Sequence, residues 1–233
     1  ENSFIVGKSL ETSLLGIYKN KQINPLVHSL GEFCGVEPRN SEQRFAINAL
    51  LDPSIPLVTL TGLAGSGKTF LALMAALSQT NQGDLGKQLS DSGFMRRKRI
   101  VITRTLQHVG SRDLGYLPGN MQEKMAPWLA PIVDNIRVAF DDVNYFEAMV
   151  ENGQIEVAPI PYIRGRTFND CFIIVDEAQN ATIHELKTII TRVGQNSKIV
   201  LLGDIDQIDT PYIDKRSNGL SIVIDKFKNS KNA

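Results

Sequence analysis

Four short apolar runs punctuate the chain: Leu57-Val58-Thr59-Leu60, Ile100-Val101-Ile102, Phe172-Ile173-Ile174-Val175, and Lys198 to Leu202. Runs this short and continuous read as strands buried on both faces. A shorter strand is expected over Ile155 to Ile160. Helix formers lie between them. Phe70 to Leu77 is rich in Leu, Ala and Met, and a second helix is expected from about Ile183 to Val193. Upstream, Ser41 reads as an N-cap with apolar Phe45, Ile47, Ala49 and Leu50 behind it, and Pro53 and Pro56 stop that helix. Asn81 to Gly93 and Gly110 to Gly119 read as loops, and Met121 to Ile136 as a helical stretch interrupted by Pro127 and Pro131. Strands that alternate with helices predict an α/β fold: a parallel sheet with helices on both faces.

The first residues follow another pattern. Ser13 to Tyr18 and Gln22 to Val27 flank Lys19-Asn20-Lys21, which predicts a small β-hairpin. Residues 1–36 are therefore expected to form a β appendage or linker, and residues 37–233 the main domain.

Bulk properties narrow the function classes. Length of 233 residues suits one domain with a small addition, and 42% hydrophobic content is enough for a core. Twenty-five basic residues balance 25 acidic ones, so no global charge draws the chain to nucleic acid. No run of 18 apolar residues and no signal peptide is visible, which predicts no membrane association. Cys34 and Cys171 lie far apart without a metal or redox motif. Together with the nucleotide site described next, they favour a reducing, cytoplasmic setting. The chain opens at Glu1 and not at methionine, which leaves room for a longer parent protein.

The strongest chemical signal is Gly62-Leu63-Ala64-Gly65-Ser66-Gly67-Lys68-Thr69, a match to G-x-x-x-x-G-K-[ST] placed between a predicted strand and a predicted helix. Such a loop turns its backbone N–H groups onto phosphate oxygens, and the helix N-terminus adds partial positive charge. Lys68 can reach the β- and γ-phosphates, and the Thr69 hydroxyl can hold Mg²⁺. The second signal is the strand ending Val175-Asp176-Glu177, a Walker B element. Asp176 would hold Mg²⁺, and Glu177 could act as general base on an attacking water. A third apolar strand ends Leu201-Leu202-Gly203-Asp204, with Gln207 just beyond as a γ-phosphate sensor.

These motifs resemble the first RecA-like domain of superfamily 1 helicases and, more closely, the PhoH-like ATPase family. The family's hallmarks stand here as Leu114-Gly115-Tyr116-Leu117-Pro118-Gly119, Ile163-Arg164-Gly165-Arg166-Thr167-Phe168, Asp176-Glu177-Ala178-Gln179-Asn180, Thr191-Arg192-Val193-Gly194, Gly203-Asp204 with Gln207-Ile208-Asp209, and Ser217-Asn218-Gly219-Leu220. The match runs from about Pro38 to Phe227. It implies a RecA-like P-loop NTPase fold and Mg²⁺-dependent ATP hydrolysis coupled to single-stranded RNA binding or unwinding by an oligomeric motor. The subfamily with an N-terminal PIN ribonuclease domain fits best, although no PIN domain is present in this chain. Arg104-Thr105 departs from the family's usual Arg-Pro, which predicts a different local turn.

By the same resemblance Gln43 would read the adenine edge, since an amide offers both a donor and an acceptor. An exposed helix glutamine is the competing reading. Arg166 and Arg192, with Arg164 behind them, are candidates for an arginine finger, each with an ordinary ion pair as the alternative. The chain has no second RecA-like domain. The finger is therefore expected from a neighbouring subunit in a homo-oligomeric ring, with a hexamer among the sizes considered. Met95-Arg96-Arg97-Lys98-Arg99 could touch an RNA backbone but reads more simply as a solvated flank. Tyr116, Trp128 and Tyr145 could stack on bases, with packing as the plainer role. His28, His108 and His184 show no metal spacing. Two other function classes stay open: an ATP-binding assembly or regulatory module that moves no nucleic acid, and a small-molecule kinase. Glu177 and the lack of an evident acceptor lid weigh against the kinase.

Overall fold

The computed structural model describes residues 3–8, 13–27, 36–80, 97–105, 130, 132–135, 137, 144–209, 214, 217–228 and 230. The loops expected at Asn81 to Gly93 and Gly110 to Gly119, together with Tyr116, Trp128, Cys34, His28, His108, Met95 and Arg96, lie outside them. So does most of Met121 to Ile136, of which 132–135 are helical.

The main sheet contains β4 (Leu57–Thr61), β5 (Arg99–Arg104), β6 (Ile155–Val157), β7 (Cys171–Asp176) and β8 (Lys198–Gly203). Their order across the sheet is β4-β8-β7-β5-β6 and every pairing is parallel. Among the described residues the helices that pack around this sheet include α1 (Ser41–Leu51), α2 (Lys68–Thr80), α3 (Asn144–Glu151), α4 (Ile160–Ile163), α5 (Ile183–Ile190) and α6 (Gly219–Phe227). Strand side chains alternate between two separate cores. Val58, Ile100, Ile102, Phe172, Ile174, Val200 and Leu202 pack with α1 and α2 on one face. Leu57, Val101, Ile173, Val175, Ile199 and Leu201 pack with α5 and α6 on the other. This two-sided burial explains the continuous apolar runs and gives the expected α/β architecture.

Local chemistry sets the helix ends. The cap of α1 is Asn40, one residue before the expected Ser41: its side chain accepts from the Gln43 N–H at 2.8 Å. The α5 helix opens with a capping box between Thr182 and Glu185 and ends at Ile190, three residues short of the expected Val193. The strand expected to reach Ile160 stops at Val157, because Pro159 caps and Pro161 lies in the first turn of a short helix instead.

The N-terminal appendage holds the expected hairpin, β2 (Ser13–Lys19) and β3 (Gln22–Pro25), joined at Asn20-Lys21 with φ of 55° and 63°. Two positive φ values make the hairpin turn whose twist suits antiparallel strands. A third strand that no sequence pattern announced, β1 (Ser3–Lys8), pairs with β2. Phe4 stacks on Phe45 of α1 at 4.7 Å, and Lys19 pairs with Asp52 at 3.1 Å, so this small sheet docks beside α1.

At the N-terminal ends of the main strands lie two buried cations. Lys198 is fully buried, and its ammonium donates to the Ala49 and Asp52 carbonyls at 2.9 and 2.8 Å, at the C-terminus of α1. Arg97 is also buried, and it bonds the Gln79 side chain near the C-terminus of α2 and lies over the Phe172 ring. Cations belong at helix C-termini, where orphan carbonyls concentrate negative charge. Burial, reinforced by the Arg97 charge, brings the Lys198 ammonium down to about 7. This folded value lies below the unfolded one, so the unfolded chain holds the extra proton between about pH 7 and 10. Stability from Lys198 should therefore rise with pH across that window, by at most about 1.4 kcal/mol per unit. Lys198→Met should abolish the rise, as urea unfolding at pH 7 and pH 9 would show; equal pH slopes for the two proteins would refute it.

Candidate functional site

The phosphate loop links β4 to α2. Gly65 and Gly67 adopt φ of 75° and 87°, which L side chains rarely tolerate. The loop is also internally bonded, with Ser66 N–H donating to Leu63 and Leu71 N–H to Gly67. Lys68 is the first residue of α2, and its ammonium donates to the Gly62 and Leu63 carbonyls at 2.7 and 2.9 Å. Those bonds hold the cation over the loop mouth beside the free N–H groups of the helix N-terminus.

Parallel register brings the acids to the same edge. Arg104 is level with Asp176 across β5 and β7, and β8 lies between β7 and β4. Ala64, Gly65, Gly67, Lys68, Thr69, Asp176, Glu177, Gly203, Asp204 and Gln207 then line one cavity of about 320 Å³. Asp176 Oδ1 accepts from the Thr69 hydroxyl at 3.4 Å. Burial, and then the neighbouring Glu177 charge, push the Asp176 carboxyl above its ordinary range, while Arg104 opposes them. The Asp204 Oδ2 atom is buried without a hydrogen-bond partner.

Glu177 is held from several sides. It sits at φ 53°, the left-handed region. Its Oε1 accepts from Arg104 at 3.2 Å and its Oε2 from the Gln179 amide at 2.7 Å. Gln179 is buried and continues the network: it donates to the Gln207 carbonyl at 3.0 Å and accepts from the Asp204 N–H at 3.1 Å. A Cβ on Gly203 would lie 2.7 Å from the Gln179 oxygen, so only glycine leaves room for this hub. Thr105 takes the position where proline was expected. Its hydroxyl donates to the Glu177 carbonyl at 2.6 Å and its N–H to the Asp176 carbonyl at 3.3 Å. Proline could make neither bond. In the sequence Arg104-Thr105 stood out only as a turn that departs from Arg-Pro and Gln179 only as part of a family motif; their contacts with Glu177 were not foreseen. The available signal was a cation at the last position of a strand that a parallel sheet could place beside Walker B.

The other candidates scatter. Gln43 reaches the loop: its amide donates to the Ser66 carbonyl at 3.1 Å and accepts from the Arg39 N–H at 2.8 Å. It lines a second cavity of about 510 Å³, with Phe4, Phe45 and Lys68, beside the phosphate cavity. Arg166 and Arg192 sit at the opposite end of the sheet from Lys68. Arg166 is bidentate to Glu156 of β6 and lies 4.8 Å from the Phe168 ring centroid. Arg192 follows α5 on its return toward β8, and its carbonyl accepts from Phe168 N–H at 2.9 Å. Arg164 is exposed. The basic flank is not simply solvated: Arg97 is buried, Lys98 pairs with Asp170 at 2.8 Å, and Arg99 pairs with Glu156 at 3.5 Å.

The donor set suits Mg²⁺ delivered with a nucleotide. Among the described residues no cluster of three acidic, histidine or cysteine side chains could hold an ion alone. Mg²⁺ is ordinarily bound by one or two protein oxygens plus substrate phosphates. Thr69 and Asp176 would supply those oxygens, and the orphaned Asp204 Oδ2 is a further buried acceptor on the cavity wall. No helix among the described residues is long and apolar enough to cross a membrane.

The family model for "PhoH-like protein" matches residues 35–233. Protein PhoH2 of Bacillus subtilis is 48% identical over 197 residues, which cover 83% of this chain and 42% of that protein. Protein PhoH2 of Mycolicibacterium smegmatis is 37% identical over 203 residues, 87% of this chain and 44% of that protein. A PhoH-like protein of Bacillus subtilis is 38% identical over 175 residues, 74% of this chain and 49% of that protein. In each case the matched stretch spans less than half the relative's length. The phosphate loop on α2, the acids at the sheet edge and a family match that covers the whole parallel sheet lead to one conclusion: this chain belongs to the PhoH-like family of P-loop nucleotide-binding proteins.

Proposed function

We propose that the chain hydrolyses ATP with Mg²⁺ and couples turnover to single-stranded RNA in a homo-oligomer. The observation behind this reading is that Lys68, Thr69, Asp176, Glu177 and Gln207 share one cavity. The Lys68 ammonium would offset negative charge on the β- and γ-phosphates. Asp176 and Thr69 would hold Mg²⁺, which, when bound, neutralises phosphate charge. Glu177 would take the proton of the attacking water, which favours hydrolysis over transfer to a metabolite. The Gln207 backbone is tied through Gln179 to Glu177, so γ-phosphate contact at Gln207 would be felt at the base.

The cation opposite the γ-phosphate would come from a neighbouring subunit stacked head to tail. Arg166 is already bidentate to Glu156, which makes Arg192 the stronger candidate. A covalently linked PIN domain upstream, as in the resembling subfamily, would couple this motor to RNA cleavage. The test is ATP turnover per subunit, with and without single-stranded RNA, across protein concentration. Stimulation by RNA and a rise with concentration are expected. Turnover indifferent to RNA would instead favour the nucleotide-dependent assembly module. A flat rate down to monomeric concentrations would exclude the shared site.

A further inference from the structure

We propose that the end of β5, Arg104 with Thr105, is a positioning clamp that holds Glu177 ready for water. The inference rests on the hydrolytic reading above and adds two residues to it. A glutamate in the left-handed region is uncommon and persists only when its surroundings hold it there. Here the holding groups come from a different strand. Thr105 fixes the backbone, through its hydroxyl on the Glu177 carbonyl at 2.6 Å and its N–H on the Asp176 carbonyl at 3.3 Å. Arg104 fixes the side chain by donating to Oε1 at 3.2 Å, while Gln179 donates to Oε2 at 2.7 Å.

These contacts orient the base without consuming it. An ionised carboxylate offers about four lone-pair sites. The two donors occupy one on each oxygen and define the plane of the group, which leaves a lone pair on each oxygen for a water. Arg104 and Glu177 are each about one-third exposed, so solvent can still reach the pair. The cavity lining includes Glu177 but neither Arg104 nor Thr105. Both therefore act through Glu177 and not on the nucleotide.

The test uses Arg104→Gln, Arg104→Lys and Thr105→Val, with two independent readouts. The first is amide hydrogen exchange without nucleotide, at the Asn180 and Ala181 N–H groups that bond the Glu177 and Ala178 carbonyls. Exchange there should quicken by roughly tenfold in Thr105→Val and Arg104→Gln while the strands stay protected. The second is ATP affinity beside kcat. Arg104→Gln should lower kcat by about 10- to 100-fold with ATP affinity little changed, because an orienting contact acts on the transition state. Arg104→Lys should recover part of the loss, and Arg104→Gln added to Glu177→Gln should cost nothing more. Unchanged exchange in both variants overturns the clamp, as does a kcat loss that multiplies with that of Glu177→Gln or a matching loss of ATP affinity. If the unaltered protein bound but never hydrolysed ATP, the hydrolytic reading would fall while the exchange data still judged the clamp.

Discussion

Lys68→Ala should leave a folded protein whose ATP turnover is lower by about 100- to 1,000-fold, the usual cost of removing one preorganised charge from a transition state. The fold should survive because Lys68 spends its bonds on carbonyls of the loop itself, at Gly62 and Leu63, and not on the core. The α2 helix is anchored elsewhere, through buried Leu71 to Leu77 on the sheet. The loop also keeps its own hydrogen bonds, from Ser66 to Leu63 and from Leu71 to Gly67. Circular dichroism and thermal unfolding would establish the fold, and a coupled phosphate-release assay the rate. A folded variant with normal turnover would remove Lys68 from the mechanism and with it the case for this loop as the catalytic cradle.

Glu177→Gln should separate binding from chemistry. Thr69, Asp176 and Lys68 remain in place, so nucleotide with Mg²⁺ should bind with affinity within a few-fold of the unaltered protein. Hydrolysis should drop by about 100- to 10,000-fold, because an amide cannot accept the water's proton. The network sharpens the expectation. Arg104 and Gln179 both donate to the present carboxylate, and an amide has only one oxygen to offer them. One donor is left unpaired, so some added mobility should accompany the lost base. Fluorescent-nucleotide titration and single-turnover hydrolysis, run side by side, decide the matter. A parallel collapse of both would make Glu177 a binding residue.

Local features of the chain were readable because their physics is local. Gly62 to Thr69 binds phosphate with consecutive backbone groups, so its glycines and its lysine must be consecutive too. The continuous run Phe172 to Val175 announced a strand covered on both faces, and the two cores bear that out. Lys19-Asn20-Lys21 between two β-prone runs signalled a hairpin, and in the fold two residues with positive φ, Asn20 and Lys21, suffice to make it. The third strand beside that hairpin stayed hidden, since Ser3 to Lys8 pairs with β2 and has no signature of its own.

The charged residues mark the boundary. By itself the sequence determined that a phosphate loop, two acids at a strand end and a parallel sheet exist, since loop glycines and strand burial are imposed by neighbours along the chain. Tertiary structure alone decided what Arg97, Lys198, Arg104 and Arg166 do. Arg97 sat in a flank that looked solvated, and Lys198 headed an apolar strand with nothing nearby in sequence to pair it, yet each is buried at a helix C-terminus. Arg166 had two readings, a finger or an ordinary ion pair, and in this fold it is bidentate to Glu156. Arg104 meets Glu177 across 73 residues of chain because β5 and β7 are neighbours in register. A cation's partner is whatever carboxylate or carbonyl the fold carries within about 3 Å of it, and strand order, which no local pattern encodes, chooses that partner.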